Sequence, residues 1–233
     1  MRRILWLCIA LVCLVVACSD DDSDANKGVV AYILQADWLQ AESFRILFED
    51  NNYTFRAYTL AAAEVVSFSG CKAILIGLDA YTNNVYWAGS DLALSRIASS
   101  GALVIGLGRG GYCAFGSQRG LKLRVGYPYA SWSTTDLAWP FNAGADIWKN
   151  PRSVDLSSDR ADLYESAGSC ANITSTINIT RLARSTSSTN LASIIVQVTN
   201  GRPYLLWGYL QDASQLTEAG KNLLLNLVDK TSW

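Results

Sequence analysis

Residues 102–116 read ALVIGLGRGGYCAFG, and they carry the clearest fold signal in the chain. Residues 102–107 form an unbroken apolar run, which is typical of a strand that is buried on both faces of a sheet. The closely spaced glycines that follow allow a tight turn into a helix. A strand, a tight turn and a helix in this order make the geometry of a nucleophile elbow.

The same alternation of buried strand and helix extends from this stretch toward the N-terminus. Strands are predicted in residues 29–34, 53–58 and 72–78. Helical spacing of apolar side chains separates them, in residues 39–50, 61–68 and 90–99. This alternation predicts an α/β fold with a mostly parallel central sheet.

Toward the C-terminus the pattern weakens and then returns. Residues 117–190 are rich in Ser, Thr, Asn, Trp, Tyr and Pro, so we expect a loop-rich insertion with short strands that covers one end of the sheet. A separate domain is the alternative. Residues 192–199 and 202–209 predict two strands, and Asn200-Gly201 between them predicts a C-terminal hairpin before the last helix.

The composition excludes several classes of function. The chain of 233 residues contains no histidine, which excludes Ser-His-Asp and Cys-His catalysis and every metal site that needs imidazole. Its 19 Lys and Arg residues balance 20 Asp and Glu residues, and this argues against nucleic acid as a partner. An apolar content of 50% is ample for a folded core.

The first 17 residues are typical of an export signal. Arg2 and Arg3 precede an uninterrupted apolar run over residues 4–17, which is shorter than the about 20 residues that a transmembrane helix needs. Together with Ala17, Cys18 resembles the lipobox of bacterial lipoprotein signal peptides. The resemblance implies cleavage before Cys18 and its lipidation with fatty acyl chains such as palmitate, so a membrane is the expected partner. An uncut signal anchor is the alternative.

The predicted domain organisation follows from this boundary. Residues 1–17 are a lipoprotein signal peptide, 18–27 an acidic tether and 28–233 the folded domain, with its insertion around 117–190. The acidic run resembles the surface-export signals of some Gram-negative lipoproteins, which favours the outer membrane or cell surface. A simple spacer is the alternative.

Three cysteines belong to the folded domain: Cys71, Cys113 and Cys170. An exported protein meets oxidising conditions, so we expect one disulfide and one spare thiol. The spacing does not select the pair. We expect Cys113 to be a buried structural residue, because it lies one helical turn beyond the glycine turn.

Several segments resemble the class I glutamine amidotransferase-like superfamily, most closely its biotin–protein ligase N-terminal-like and trehalose-utilisation-like branches. The resemblance rests on the glycine elbow, on Asp79-Ala80-Tyr81 after a strand, and on Gly208-Tyr209 before the last helix. It covers residues 28–116 and 192–230, and it implies a flavodoxin-like three-layer sandwich.

The chain departs from this family at the catalytic positions. The family's nucleophile position corresponds to Gly108, which has no side chain, and the family's histidine position corresponds to Leu210 or Gln211. Asp212 lies near the position of the family's acidic partner. A Cys-His-Glu mechanism needs a thiol and a base, so the resemblance implies a fold without that reaction.

No metal and no cofactor are expected. The spacing Gly106-x-Gly108-x-x-Gly111 matches a dinucleotide fingerprint, but that fingerprint belongs on a first strand with an acidic residue about 20 positions later. Here the glycines follow the fourth predicted strand.

The candidate ligand crevice lies where the parallel strands end, because ligands of open α/β sheets bind at their carboxyl ends. A cation there, Arg109, favours docking of an anion or a carbonyl oxygen. For Asp37 and Asp79, capping of a helix or turn is at least as good an explanation as ligand contact. The candidate residues are Asp37, Trp38, Asp79, Tyr81, Gly108, Arg109, Gly110, Tyr112, Gln211 and Asp212.

Two functions from different classes fit these features. The first is a non-catalytic cell-envelope lipoprotein that binds a protein or glycan ligand. The second is a histidine-free envelope hydrolase that uses its carboxylates on glycans or peptides. The sequence favours the first, because Asp37, Asp79 and Asp212 show no pairing signal.

Overall fold

The structure is a computed structural model that describes residues 26–175, 177–187 and 191–233. The predicted signal peptide, Cys18 and most of the acidic tether lie outside the described residues. The helices are α1 (Trp38–Glu49), α2 (Asp91–Ser99), α3 (Gly108–Gly116) and α4 (Glu218–Asp229). Within the described ranges, no helix is both long and apolar enough to cross a membrane.

Five parallel strands form one half of the central sheet. They are β1 (Val29–Leu34), β2 (Thr54–Thr59), β3 (Cys71–Ile76), β6 (Leu103–Leu107) and β13 (Arg202–Trp207). Their spatial order is β2-β1-β3-β6-β13, with parallel pairing throughout. This is the 2-1-3-4-5 order of flavodoxin-like folds, so the predicted fold is confirmed.

Helices cover both faces of this sheet and make the predicted three layers. Phe44 and Phe48 of α1 pack into one core cluster with Leu223 and Leu227 of α4. The opposite face is covered by α2 and α3, whose apolar side chains belong to the second cluster. The inner strands β1, β3 and β6 are mostly buried, because each contributes side chains to both clusters.

The C-terminal hairpin joins β13 to β12 (Ile194–Thr199) as predicted. Asn200 and Gly201 both have positive φ, of 53° and 72°, which the mirror-image hairpin turn requires. The strand β12 runs antiparallel to β13, so the parallel half of the sheet ends here.

The insertion differs from the loops and short strands expected over one end of the sheet. Three of its strands continue the central sheet beyond β12, in the order β11-β8-β9, and give nine strands within the described residues. They are β8 (Leu137–Pro140), β9 (Ala161–Asp162) and β11 (Thr180–Arg184). They pair here because β12 would otherwise expose an unpaired edge.

The remaining strands form two small antiparallel pairs. The first is β7 (Ala130–Thr135) with β10 (Gly168–Ile173), and the second is β4 (Tyr81–Thr82) with β5 (Tyr86–Trp87). Both pairs bear on the candidate site, since they lie beside the first residues of α3.

Candidate functional site

A cavity lies at the position where a flavodoxin-like sheet is expected to bind ligands. The chain leaves β1 toward β2 and leaves β3 toward β6, in opposite directions, so the carboxyl ends of β1 and β3 border a crevice. A cavity of about 690 Å³ opens there, lined by residues 35–39, Asp79 and Tyr81. The structure therefore brings together four predicted site residues: Asp37, Trp38, Asp79 and Tyr81.

The Asp79 carboxylate is committed to the backbone of the neighbouring loop. Its oxygens accept hydrogen bonds from the N–H groups of Gln35, Ala36 and Asp37, at 3.1, 2.7 and 2.8 Å. Asp37 in turn accepts from the N–H of Gln40 at 3.1 Å and so caps α1. Both carboxylates hold the cavity wall in place.

The elbow keeps its turn but has no room for a side chain. Gly108 begins α3 with φ +45°, and a Cβ atom there would lie 2.7 Å from Leu78 Cδ2 and 2.8 Å from the carbonyl oxygen of Tyr209. A side chain at position 108 would therefore meet Leu78 and the backbone of residues 209–210.

This backbone segment, residues 209–210, is called the plug below. The N–H of Leu210 donates to the carbonyl oxygen of Ser169 on β10 at 3.0 Å, and Tyr209 forms a bridge with Cys170 on the same strand. The Tyr209 hydroxyl donates to the Leu137 carbonyl oxygen at 2.7 Å. The insertion thus anchors the plug against the elbow from two sides.

Three of the predicted site residues do not line the cavity. Gly108, Gly110 and Tyr112 are buried within α3 and do not line the cavity. A Cβ atom on Gly110 would lie 1.9 Å from the Gly77 carbonyl oxygen, because α3 packs directly on the end of β3. These residues serve helix packing and leave no open ligand surface.

Gln211 and Asp212 are also used locally. Gln211 donates through Nε2 to the Ser166 carbonyl oxygen at 2.5 Å. Asp212 accepts from the N–H of Ser214 at 2.9 Å and caps a 3-10 turn. Asp212 lines a separate cavity of about 610 Å³ between α1 and α4, so it does not share a site with Asp79.

Arg109 lies beside the cavity, stacked between two rings. Its guanidinium carbon lies 4.8 Å from the centroid of Trp132 and 5.6 Å from that of Tyr81. Trp132 belongs to the insertion around residues 117–190, and its contact with Arg109 was not predicted from the sequence. No local signal could reveal it, since it depends on the pairing of β7 with β10.

The described cysteines are all free, so the expected disulfide is wrong for these residues. Cys113 belongs to the cluster on one face of the sheet, and Cys170 belongs to the cluster on the other face. Burial raises the pKa of the Cys113 thiol to about 12, although Arg109 acts in the opposite direction. Cys113 is therefore a protonated core residue at neutral pH and a poor nucleophile.

Metal coordination finds no support in the described ranges, where no three Cys, Asp or Glu side chains are grouped to hold an ion. The carboxylates of Asp37 and Asp79, which line the cavity, accept hydrogen bonds from backbone N–H groups.

Comparisons with known proteins give likeness at the level of the fold. No protein-family model matches the chain, and no curated protein matches its sequence. The carbohydrate deacetylase Agd3 is 10% identical with a TM-score of 0.51 over 86% of this chain, which spans 32% of that chain.

Two amidotransferase-related structures are similar over most of their length. PurLQS from Thermotoga maritima is 8% identical, with a TM-score of 0.48 over 87% of this chain and 98% of that chain. The CTPS glutaminase domain of Trypanosoma brucei with bound acivicin is 8% identical, with a TM-score of 0.47 over 88% and 95%.

Proposed function

We propose that the chain is a non-catalytic cell-envelope lipoprotein, in which a degenerate class I amidotransferase-like domain serves as a binding or scaffold module. The observation that carries this proposal is the filled space at Gly108. A nucleophile there would need a side chain where Leu78 and the plug already lie. The chain also has no histidine to act as the base.

The alternative is an envelope hydrolase that acts through carboxylates on glycans or peptides. Such an enzyme needs two carboxyl groups about 5–9 Å apart with oxygens free to meet the substrate. Asp37, Asp79 and Asp212 accept backbone N–H groups, which supports the binding module instead.

An assay for catalytic cleavage distinguishes the binding module from the hydrolase. We expect the purified full-length chain to release neither reducing ends from envelope glycans nor amino groups from envelope peptides. Cleavage above the blank that is lost in Asp37→Asn would establish the hydrolase.

The lipid anchor is a proposal from the sequence, because Cys18 lies outside the described residues. We expect Cys18→Ala to abolish metabolic labelling by an alkyne fatty acid and to leave an uncut precursor. Cys13→Ala is the matched control, since Cys13 leaves with the signal peptide and its variant should label normally. Unchanged fatty-acid labelling of Cys18→Ala would contradict the proposal that Cys18 carries the lipid anchor.

The first described residues support an orientation for the anchored protein. The Lys27 N–H donates to the Asn52 carbonyl oxygen at 2.8 Å, so the chain enters at the amino end of β1 and β2. The cavity lies at the opposite, carboxyl end of these strands, about 20 Å away for six residues. The tether from Cys18 would therefore join the domain at the end opposite the cavity.

A further inference from the structure

The Arg109 side chain is a cation without a described counter-ion, and it lies over the ring of Tyr81, which lines the cavity. Within the described residues it takes part in no hydrogen bond and no ion pair, and its Nε atom is buried without an acceptor. A buried donor with no acceptor is costly, and most such groups in proteins have a partner. Arg152 shows the usual arrangement, with Asp229 at 2.9 Å.

The stacking of Arg109 fixes how a ligand would approach it. The guanidinium carbon lies within about 6 Å of the ring centroids of both Tyr81 and Trp132, and these contacts limit its movement. Hydrogen bonds from a guanidinium point outward in its own plane, so stacking leaves them available. A planar carboxylate is the group that accepts two of these bonds at once.

Arg184 shows that an unpartnered Nε atom alone does not mark a ligand site. Its Nε also lacks an acceptor, and its guanidinium lies over Phe141 at 5.5 Å. Arg184, however, belongs to β11 in the antiparallel half of the sheet. Arg109 differs because its neighbour Tyr81 also lines the cavity at the strand crossover.

The surroundings favour an anionic group of one charge over a dianionic group, and they favour a sugar. The carboxylates of Asp37 and Asp79 line the same cavity and would repel a phosphate dianion more strongly than a carboxylate. Trp38, which lines the cavity, is 54% exposed, and Trp132, which contacts Arg109, is 39% exposed, so both present apolar ring surface to a ligand. The C–H face of a pyranose ring packs against such faces.

We propose that the cavity binds an acidic glycan, with the carboxylate of a uronic acid on Arg109 and its sugar rings against Tyr81, Trp132 and Trp38. This inference rests on the proposed non-catalytic function and names the ligand class of the same site.

Calorimetry on the full-length chain in detergent micelles tests the proposal. The probes are trigalacturonate, the neutral galactose trisaccharide and a tripeptide with a free carboxylate. We expect trigalacturonate to bind at least tenfold more tightly than either other probe, since each of them lacks half of the recognition. The proposal of an acidic glycan would be overturned if trigalacturonate did not bind, or if the tripeptide bound more tightly.

Arginine variants assign the binding to this site. Arg109→Gln should weaken trigalacturonate binding at least tenfold, and Arg109→Lys should not restore it, because an ammonium cannot form the planar pair. The matched control is Arg119→Gln, since Arg119 also lies over a tyrosine ring, at 5.6 Å from Tyr86, but is exposed. Unchanged binding in Arg109→Gln, with its thermal midpoint preserved, would refute the site.

The same samples distinguish this proposal from the proposed function. Cleavage of bound trigalacturonate would remove the non-catalytic function and leave the site at Arg109 in place. Intact trigalacturonate that does not bind would remove the glycan site alone.

Discussion

Replacing Gly108 with alanine should lower the free energy of unfolding by about 4 kcal/mol. Two costs combine: a left-handed backbone that alanine adopts at about 1–3 kcal/mol, and overpacking of about 1–3 kcal/mol. The second arises because the new Cβ atom would lie 2.7 Å from Leu78 Cδ2 and 2.8 Å from the backbone of the plug. Urea unfolding of the two proteins measures the difference.

Gly101→Ala is the matched control for this experiment. Gly101 also has a positive φ, of 79°, but nothing lies within 4 Å of its Cβ position. Gly101→Ala should therefore lower the free energy of unfolding only through backbone strain, by about 1 kcal/mol. Equal losses in the two variants would show that the space at Gly108 is open.

Asp229→Ala should lower the free energy of unfolding by about 3 kcal/mol. Asp229 accepts hydrogen bonds from Tyr53 and Lys72, both at 2.6 Å, and from Arg152 at 2.9 Å. Its side chain is 13% exposed, so removing it leaves two cations without their partner in a partly dry site. Glu42→Gln, in an exposed pair with Arg45, should lower the free energy of unfolding far less, because water and salt screen an exposed pair.

The same residue gives a pH dependence. Burial acts to raise the pKa of Asp229, but hydrogen bonds from Lys72, Tyr53 and Arg152 outweigh it and lower the pKa below its ordinary value of 3.8. A lowered pKa means that the stabilisation is present above pH 4 and is lost as the pH falls further. The difference in the free energy of unfolding between wild type and Asp229→Ala should therefore become smaller below pH 4. A constant gap down to pH 2 would contradict this assignment.

The parallel half of the fold could be predicted because its signals are local. Unbroken apolar runs such as residues 29–34 and 102–107 mark buried strands, and Asn200-Gly201 marks the hairpin by its turn conformation. The roles of Asp37 and Asp79 as backbone acceptors were also open to prediction, since aspartates after strands commonly cap helices and turns.

The antiparallel strands beyond β12 could not be predicted, because their signals are long-range. Strand β9 has only two residues, and β11 has a register irregularity beside Ala183, so neither shows a clear alternation. Trp132 reaches Arg109 only after β7 has paired with β10. The sequence likewise could not show that the plug fills the space at Gly108.

The central claim is tested most directly by measuring ammonia release from glutamine. The purified protein and glutamine are mixed at stoichiometric concentrations. The claim is that this fold holds no reactive group at its elbow, because Gly108 and the plug leave no space for one. We predict release equal to the buffer blank for the wild type and for Gly101→Ala. Release above the blank that follows the protein through purification would contradict it.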